Sequence, residues 1–492
     1  MNAPSFYVGA CRTLNGSGGS SRLLLPAHHL VTHGVVFGTT GSGKTGLVTV
    51  IVEEALRSKI PVLVIDVKGD LPNLLLAFPD FSANSVMPWI EGSASPTDPR
   101  SPEVIASEIA QTRQSGLGMW GIEEKDLKAF RSQTRLRVIT PGATAGELLH
   151  VLSGLERPSK RWESDPEAAR DSLSAAVSLV LRLIGREPDP AKSREHVILM
   201  VLAERRLSLG QSADLALLLE DLAHPPVTKI GALSVDEFLP KSDRKSLAAA
   251  LNSLLASPTF ASWRQGTTLD IGSWMTPTDG KTPGVIISVA HLDDEERSLV
   301  LGVIMEEVLA WVRSLTGTQR LRALVVFDEV YGYLPPHPAN PPTKRPLVSL
   351  MKQARAFGVG VVLATQNPMD VDYRSLGNAG LWCLGRLQTD ADRERVIDGI
   401  TASGPGIDMK ESELSNLVKR LSPRWFVMRD LHSETGLVLL QPRWTLSYMR
   451  GPMTRTEIRH ARELNEGGEC RNSPFLNDRE RTRVDVTALV SD

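Results

Sequence analysis

The segment GTTGSGKT at residues 38–45 restricts the folds open to this chain more than any other stretch. It fits the pattern G-x-x-x-x-G-K-[ST] at every fixed position, follows the apolar run Gly34–Phe37 and opens a helical stretch from Lys44 to Lys59. Glycines at this spacing let backbone N–H groups surround phosphates, and the N-terminus of the following helix attracts negative charge. A glycine-rich turn with a solvated lysine is the alternative, and the position between a strand and a helix disfavours it.

The pattern assigns a role to each of its residues. Lys44 is expected to reach the β- and γ-phosphates of ATP, and Thr45 is expected to hold Mg²⁺. The residues predicted to surround the nucleotide are Gly38, Thr39, Thr40, Gly41, Ser42, Gly43, Lys44, Thr45 and Gly46.

Apolar runs without polar alternation recur between helical stretches along most of the chain. Such runs are typical of parallel strands that helices cover on both faces, so the sequence predicts an α/β fold with a mainly parallel sheet. Between about residues 143 and 275, apolar residues recur at helical spacing instead, which predicts a mainly helical insertion. The predicted strands after the first are Pro61–Ile65, Leu136–Ile139, Gly284–Ala290, Leu324–Phe327, Gly360–Ala364, Leu381–Leu387 and Trp425–Met428. The predicted division is an arm (1–30), a first core part (31–142), the insertion (143–283), a second core part (284–452) and a charged tail (453–492).

Composition excludes several classes of protein. With 55 basic and 57 acidic residues the net charge is −2, so the chain is not a basic protein that coats nucleic acid. The cysteines Cys11, Cys383 and Cys470 are far apart and form no CxxC, which disfavours disulfides and a cysteine-rich zinc site. We see no secretory signal and no apolar run long enough for a membrane span, so the expected location is the cytoplasm, with no membrane partner.

Two acids follow the predicted strand Leu324–Phe327. Asp328 is suited to the magnesium shell, and Glu329 is suited to activate the attacking water. A strand that ends in solvated acids is common, but the combination with a phosphate-binding loop favours the catalytic interpretation. Gln366 ends the next predicted strand and is a candidate sensor of the γ-phosphate, with an ordinary turn before Pro368 as the alternative. Asp66 is either a second carboxylate near the magnesium or a capping residue.

Two basic stretches are candidate contacts to a nucleic-acid backbone. The segment 331–346 contains six prolines, which disfavour helix and favour extended chain, and it ends with Lys344 and Arg345. A proline-rich surface crossover is the alternative. The second stretch surrounds Phe130, and there a solvated helix face is favoured over DNA contact. Its basic residues are Lys125, Lys128, Arg131, Arg135 and Arg137.

At these motifs the sequence resembles the HerA–FtsK superfamily of P-loop ATPases, specifically its HerA-like branch. The resemblance is carried by GTTGSGKT, VIDVKGDL, VVFDEV, KQARAFGVGVVLATQNP, LGNAGLWCLGRLQTDADRERVIDG and RWTLSYMRGPMTRTEI, and it spans about residues 30 to 458. It implies a RecA-like fold and a hexameric ring that uses ATP and Mg²⁺ to move double-stranded DNA through its pore. It also implies an effector such as a nuclease or an NAD-consuming enzyme, in DNA processing or antiphage defence.

The resemblance further implies that Gln366 is the sensor and that Arg355 reaches the nucleotide of a neighbouring subunit. Many relatives place another arginine where this chain has Thr32, so Arg386 is a second candidate for the trans-acting role. HerA proteins usually carry an N-terminal β-barrel, for which residues 1–30 leave no room. Two other functions stay open at this point: an ATP-driven switch that regulates a partner, and a nucleotide-binding scaffold that organises an effector.

Overall fold

The computed structural model describes residues 4–14, 19–90, 100–402 and 409–466. Cys470 and most of the predicted charged tail lie outside the described residues. Within them, eleven strands form one central sheet in the order β2-β1-β11-β10-β9-β3-β8-β7-β4-β6-β5. The strands are β1 (Ser5–Thr13), β2 (Ser21–Pro26), β3 (Gly34–Phe37), β4 (Val62–Asp66), β5 (Thr134–Ile139), β6 (Thr282–Ser288), β7 (Ala323–Asp328), β8 (Val359–Thr365), β9 (Leu381–Leu384), β10 (Phe426–Asp430) and β11 (Leu437–Pro442).

The sheet is parallel from β9 through β3, β8, β7, β4 and β6 to β5, and antiparallel from β9 outward to β2. This confirms the predicted mainly parallel α/β fold. The sequence does not predict the antiparallel extension, because β1 pairs with β11, which lies more than 400 residues further along the chain, and such a pairing leaves no local pattern. Residues 5–26, predicted as an arm, therefore belong to the central sheet.

Helices cover both faces of this sheet. The longer ones are α1 (Lys44–Arg57), α2 (Pro102–Gly118), α3 (Glu124–Gln133), α4 (Pro166–Leu183), α5 (Arg194–Leu207), α6 (Leu215–Ala223), α7 (Lys241–Leu255), α8 (Asp294–Arg313), α9 (Lys344–Gln353), α10 (Asp390–Ala402), α11 (Glu411–Arg420) and α12 (Arg455–Asn465). Single turns of helix are Ala27–Thr32, Leu71–Leu76, Ala83–Val86, Met87–Trp89, Ser153–Glu156, Arg161–Ser164, Val235–Phe238, Pro258–Ala261, Ser262–Arg264, Ile271–Trp274, Ala354–Phe357, Pro368–Asp370 and Tyr373–Leu376. Two pairs of two-residue strands, Leu149–His150 with Thr267–Thr268 and Lys229–Ile230 with Leu233–Ser234, lie outside the sheet.

Each face of the sheet has its own hydrophobic core. Successive side chains of a strand point to opposite faces, so Leu63 and Ile65 of β4 enter one core while Val64 enters the other. The first core contains α8 and the helices α4 to α7, which form the predicted helical insertion. The second contains α1, α2, α3 and α12. This arrangement leaves the carboxyl ends of the parallel strands free of covering helices.

The proline-rich segment differs from its predicted conformation at its end. Lys344, Arg345 and Pro346 form the first turn of α9 instead of extended chain. Proline is tolerated there because the first N–H groups of a helix have no intrahelical partner to lose. The proline count therefore predicts the extended part but not the start of the helix.

Candidate nucleotide-binding site

The phosphate-binding loop connects β3 to α1, as the sequence predicts. Gly41 and Gly43 have φ values of 78° and 93°, which L side chains rarely adopt. A Cβ atom at Gly38 would lie 2.4 Å from the hydroxyl of Ser42, so the loop closes too tightly there for any side chain. The loop is anchored from outside by Thr39, whose backbone N–H donates to the carbonyl of Arg386 at 3.0 Å.

Two carboxylates lie side by side at the ends of β4 and β7. Asp66 and Asp328 are direct neighbours in the parallel register. Asp66 accepts hydrogen bonds from the Ser288 hydroxyl and the Gly69 N–H, both at 2.9 Å, and burial raises its pKa to about 7. Both carboxylate oxygens of Asp328 are buried without a hydrogen-bond partner among the described residues, and burial raises the pKa of this group as well. Both oxygens of Asp328 are therefore free of protein donors among the described residues and could bind a cation.

Glu329 is held by four groups. Its Oε2 accepts from Lys68 Nζ at 2.6 Å and from Lys44 Nζ at 3.3 Å. Its Oε1 accepts from the Thr365 hydroxyl at 3.0 Å and from the Gln366 backbone N–H at 3.2 Å. Burial alone would raise the pKa of Glu329, but Lys44 and Lys68 together hold it below the usual value.

The strand order explains how these groups meet. β8 lies between β3 and β7, so its carboxyl end falls between the phosphate-binding loop and the two acids. Gln366 lies there, and its side-chain oxygen accepts a hydrogen bond of 2.5 Å from the Thr40 hydroxyl of the loop. The structure thus brings Lys44, Gln366, Asp328 and Glu329 together at one edge of the sheet, and their catalytic roles stay predictions.

Lys68 is a site residue that sequence reasoning missed. It follows β4 in the segment VIDVKGDL, where only Asp66 was singled out. The sequence feature that could have indicated Lys68 is its position two residues after a buried strand. In the structure the next residue, Gly69, has a φ of 86°. Such a position faces the carboxyl edge of the sheet, where ligands of open α/β sheets bind.

The residues present fit a nucleotide with a magnesium ion. Mg²⁺ prefers oxygen ligands, and the unpartnered carboxylate of Asp328 offers two. Thr45 lies in the first turn of α1, directly after Lys44, where the pattern requires a hydroxyl. The backbone of residues 38–43 supplies the phosphate cradle. Asp328 and Thr45 are thus the residues that would hold the metal, with Asp66 behind them.

A cavity of about 230 Å³ adjoins the other side of the loop. Gly43, Gly46 and Leu47 form one wall, and Arg424, Trp444 and Met449 line the opposite side. The Arg424 guanidinium lies 5.5 Å from the Trp444 ring centroid. Sequence reasoning missed this cavity because its second wall comes from residues about 400 positions beyond the loop.

An ion-pair network fixes the second wall of this cavity against α1. The buried Arg443 donates to Glu53 and Glu54 of α1, each at 2.9 Å. Trp444 is the next residue along the chain, so the network determines its distance from the loop. Loss of one partner would leave a buried charge unpaired, which typically costs about 3–5 kcal/mol.

Arg355 does not lie at the nucleotide site of its own chain. It is exposed in the turn Ala354–Phe357, before the amino end of β8, whereas Gln366 follows the carboxyl end of the same strand. A seven-residue strand separates two such positions by about 20 Å. Arg355 acts electrostatically on His33, the neighbour of Thr32, so it lies close to where many relatives place their other arginine.

Arg386 lies beside the loop of its own chain. Its carbonyl accepts from both the backbone N–H and the hydroxyl of Thr39, and its Nε is buried without a hydrogen-bond partner among the described residues. These contacts favour a role within one chain. The trans-acting role stays a prediction that the contacts do not support.

Lys344 and Arg345 lie away from this cluster and have carboxylates nearby. Lys344 Nζ lies 4.0 Å from Asp372 and donates to the Ala339 carbonyl at 2.9 Å. Arg345 pairs with Asp171 at 3.1 Å. Contact with DNA phosphates stays a prediction for both, and it would compete with these interactions.

The fold and the site together define a RecA-like P-loop protein: a mainly parallel sheet whose carboxyl edge carries a glycine-rich loop and two adjacent acids, Asp328 and Glu329. Residues 14–115 match the family described as "Helicase HerA, central domain". The predicted resemblance to the HerA-like branch is confirmed by this match, which includes the phosphate-binding loop and the VIDVKGDL segment.

Two solved structures are similar to this chain over most of its length. VirB4 of Thermoanaerobacter pseudethanolicus is 14% identical, with a TM-score of 0.50, over 90% of this chain and 97% of that chain. The plasmid coupling protein TrwB in complex with ADP and Mg²⁺ is 13% identical, with a TM-score of 0.47, over 87% of this chain and 89% of that chain. At this identity the likeness to VirB4 concerns the fold alone. No curated protein matches the sequence.

The described part of the chain contains no helix with the length and apolar character needed to cross a bilayer.

Proposed function

We propose that the chain binds ATP with Mg²⁺ and hydrolyses it to ADP and phosphate. The observation that carries this proposal is the buried, unpartnered carboxylate of Asp328, which lies next to Glu329 and at the same edge of the sheet as Lys44. A buried carboxylate without a hydrogen bond or a cation is rare in proteins and calls for a ligand. A phosphate-bound cation is the ligand that its neighbours also fit.

Each residue has a chemical role in this reaction. Lys44 would leave Glu329 and bind the β- and γ-phosphates, and Asp328 and Thr45 would hold Mg²⁺, which neutralises charge on phosphate oxygens when bound. Glu329 would accept the proton of the attacking water. Gln366 bridges Thr40 of the loop and Glu329, so it is placed to respond to the γ-phosphate.

The cavity beside the loop is the proposed binding site for the nucleotide base of ATP. Trp444 offers a stacking face, and Arg424 and Met449 border the same space. A concave pocket with an aromatic wall is the usual environment of a nucleotide base in a protein.

The HerA match also supports a hexameric ring that moves double-stranded DNA. Arg355 lies at the amino edge of the sheet, opposite the nucleotide site, and is exposed. A cation there is too far from the nucleotide site of its own chain and could reach only the nucleotide of a neighbouring molecule, which suits a ring with shared sites. The net charge of −2 does not oppose DNA binding, because a pore can be basic while the outer surface is acidic.

The family resemblance extends the proposal to the setting of the protein. It supports cooperation with an effector such as a nuclease or an NAD-consuming enzyme, in DNA processing or antiphage defence in the cytoplasm. Lys344 and Arg345 are the proposed DNA contacts outside the nucleotide site.

A second candidate function is an ATP-driven switch that does not move DNA. The specific observation in its favour is that both oxygens of Glu329 are occupied by protein groups. Such an arrangement suits a base that is released only when a partner acts. A scaffold ring with little turnover is disfavoured, because binding alone does not require Glu329.

The deciding experiment measures ATP hydrolysis with and without duplex DNA. We expect DNA to stimulate the wild type, Lys44→Ala to lose ATP binding, and Glu329→Gln to retain binding and lose turnover. If Glu329→Gln hydrolyses ATP at the wild-type rate, the assigned base is wrong. ATPase activity without any response to DNA would favour the switch over the translocase.

A further inference from the structure

A large basic cavity lies away from the nucleotide site, at the β5 edge of the sheet. Its volume is about 810 Å³. Three elements supply most of its basic side chains: the end of α3, the strand β5 and the end of α12. These side chains are Lys128, Arg131, Arg135, Arg137, Lys281 and Arg462, whereas the acidic ones are Glu147, Asp279 and Glu466. The cavity is thus basic in a chain whose net charge is −2.

The acids of this cavity leave several cations without a counter-charge. Glu147 is taken by Arg137, and Glu466 lies 3.4 Å from Arg462. Arg135 and Lys281 are exposed and have no ion pair among the described residues. Within the described part of the chain Arg131 donates to the backbone carbonyl of Leu464 at 3.0 Å and has no ion pair, and burial lowers its pKa. These three cations are available to an anionic ligand.

The cavity runs along the open edge of β5. Four consecutive residues of this strand, 134 to 137, line it. Neighbouring strand residues point to opposite faces, so all four can border one cavity only if it follows the strand edge. β5 is the last strand of the sheet and pairs with β6 on one side only. On its other side the described residues provide a bridge only near the far end, where Ile139 meets Glu147.

We propose that this edge binds an extended segment of a partner protein in which acidic and apolar residues alternate. An added strand would pair with the free backbone groups of residues 134–137, a length of about 13 Å. Arg135 and Arg137 lie on one face of β5, and Leu136 lies on the other. A partner strand therefore needs acidic residues on the first face and apolar residues on the second, which strict alternation provides.

A second cavity adjoins the basic one, and the combined length favours a peptide over a compact anion as the ligand. The second cavity, of about 460 Å³, shares Leu75, Pro79 and Arg131 with the basic one, and Phe78 and Trp89 line it. Together they form a groove whose first part is basic and whose second part combines apolar side chains with polar ones, including one acid, Asp80. The open backbone edge of β5 favours a peptide over duplex DNA, because an extended peptide can pair with a strand edge and a duplex cannot. This surface is independent of the ATP chemistry, so it stands or falls separately from the proposed function.

The test uses the full chain and a fluorescein-labelled peptide that alternates glutamate and valine, followed by fluorescence anisotropy. We expect binding that Arg135→Glu and Lys281→Glu each weaken by about tenfold, because like charges then face each other. Lys125→Glu is the matched control, since Lys125 lies on α3, pairs with Glu123 and does not line the cavity. It should leave binding unchanged, and all three exposed substitutions should leave ATP hydrolysis unchanged.

Backbone pairing is tested with two further peptides, N-methylated on all glutamates or on all valines. N-methyl groups block one edge of the peptide strand in each case, so one peptide should bind and the other should not. Equal binding of the two would mean that charge alone acts, and the added strand would be refuted. The proposal would also be overturned if no peptide bound. It would likewise be overturned if Arg135→Glu lost duplex DNA binding while its peptide binding stayed unchanged. In the first case the charges would only protect the edge from other strands, and in the second case they would contact DNA.

Discussion

Lys68 Nζ lies 2.6 Å from Oε2 of Glu329, closer to this oxygen than Lys44 at 3.3 Å. Lys44 would have an alternative partner in the phosphates of ATP, whereas Lys68 follows another strand, β4, and lies outside the phosphate loop. When nucleotide binds, Lys68 is thus the cation that remains on the proposed base. It holds the oxygen that the attacking water would need as its proton acceptor.

Lys68→Met should therefore raise ATP hydrolysis in the absence of DNA. An ion pair with one partly exposed member is worth about 1 kcal/mol, so the expected increase is about fivefold. The affinity for ADP should stay near the wild-type value, because Lys68 does not belong to the phosphate loop. Lys68→Arg keeps the charge and is the matched control, with basal activity near the wild type. A loss of turnover in Lys68→Met would mean that Lys68 positions the base instead of restraining it.

Much of the nucleotide site could be predicted because its signals are local. The loop at 38–45 and the acids at 328 and 329 each follow an apolar strand directly, so strand, turn and chemistry are read from one short stretch. Lys68 could not be assigned in this way, because its contact with Glu329 depends on β4 lying beside β7. The order of the strands in the sheet brings Lys68 next to Glu329, and no local sequence pattern encodes that order.

The antiparallel half of the sheet shows the same limit. β11 (Leu437–Pro442) carries Arg443 and Trp444 to the loop, but its apolar residues do not reveal whether it pairs with β10, β1 or a parallel strand. The start of α9 at Lys344 was missed for a different reason. Six prolines indicate extended chain, yet a proline in the first turn of a helix costs no hydrogen bond.

Trp444→Ala should weaken ATP binding. Removal of the stacking face should raise the KM for ATP by about fivefold, given about 1 kcal/mol for a stacked aromatic pair, with little change in kcat. Trp444→Phe retains an aromatic face and should stay within about threefold of the wild type. Titration with a fluorescent ATP analogue, together with steady-state kinetics, measures both effects. A fall in kcat at constant KM would contradict the proposal that the nucleotide base of ATP binds in this cavity.

Glu306 should make the stability of the chain depend on pH. It lies on α8 near Arg345 and Asp171, and burial raises its pKa from 4.5 to about 7. The folded state therefore holds this proton more strongly than the unfolded state, so stability falls as the pH rises from about 4.5 through 7. Glu306→Gln lacks the carboxyl group. The difference in free energy of unfolding between Glu306→Gln and the wild type should therefore shift by roughly 2–3 kcal/mol in favour of the variant from pH 5 to pH 8.

Urea denaturation of both proteins at pH 5 and pH 8 measures this difference. Glu295→Gln is the matched control, because Glu295 is exposed in the first turn of the same helix. It should show no pH-dependent gain. A Glu306→Gln protein that loses stability equally at both pH values would show that the carboxylate is required in the fold, contrary to the raised pKa.

Arg355 should complete the nucleotide site of a neighbouring chain. It is exposed at the amino edge of the sheet, about one strand length from Gln366, so it cannot reach the phosphates of its own chain. A cation supplied from outside stabilises the charge on the transferred γ-phosphoryl group, an effect worth roughly 10³–10⁵ in rate in GTPases. Arg355→Ala and Lys44→Ala should each be almost inactive alone. Lys352→Ala is the matched control, because Lys352 is exposed on the adjoining end of α9, and it should stay active.

When the two inactive proteins are dissociated, mixed and reassembled, activity should return. Some interfaces then combine an intact loop with an intact Arg355, whereas rings of one variant contain none. Native mass spectrometry of the mixture establishes that mixed rings have formed before ATP hydrolysis is measured. A second mixture, of Lys44→Ala with Glu329→Gln, should stay inactive. The 3.3 Å contact between Lys44 and Glu329 means that each site uses both residues from one chain, and neither variant supplies both. Mixed rings of Arg355→Ala and Lys44→Ala that hydrolyse no more ATP than their parents would show that Arg355 does not act across the interface.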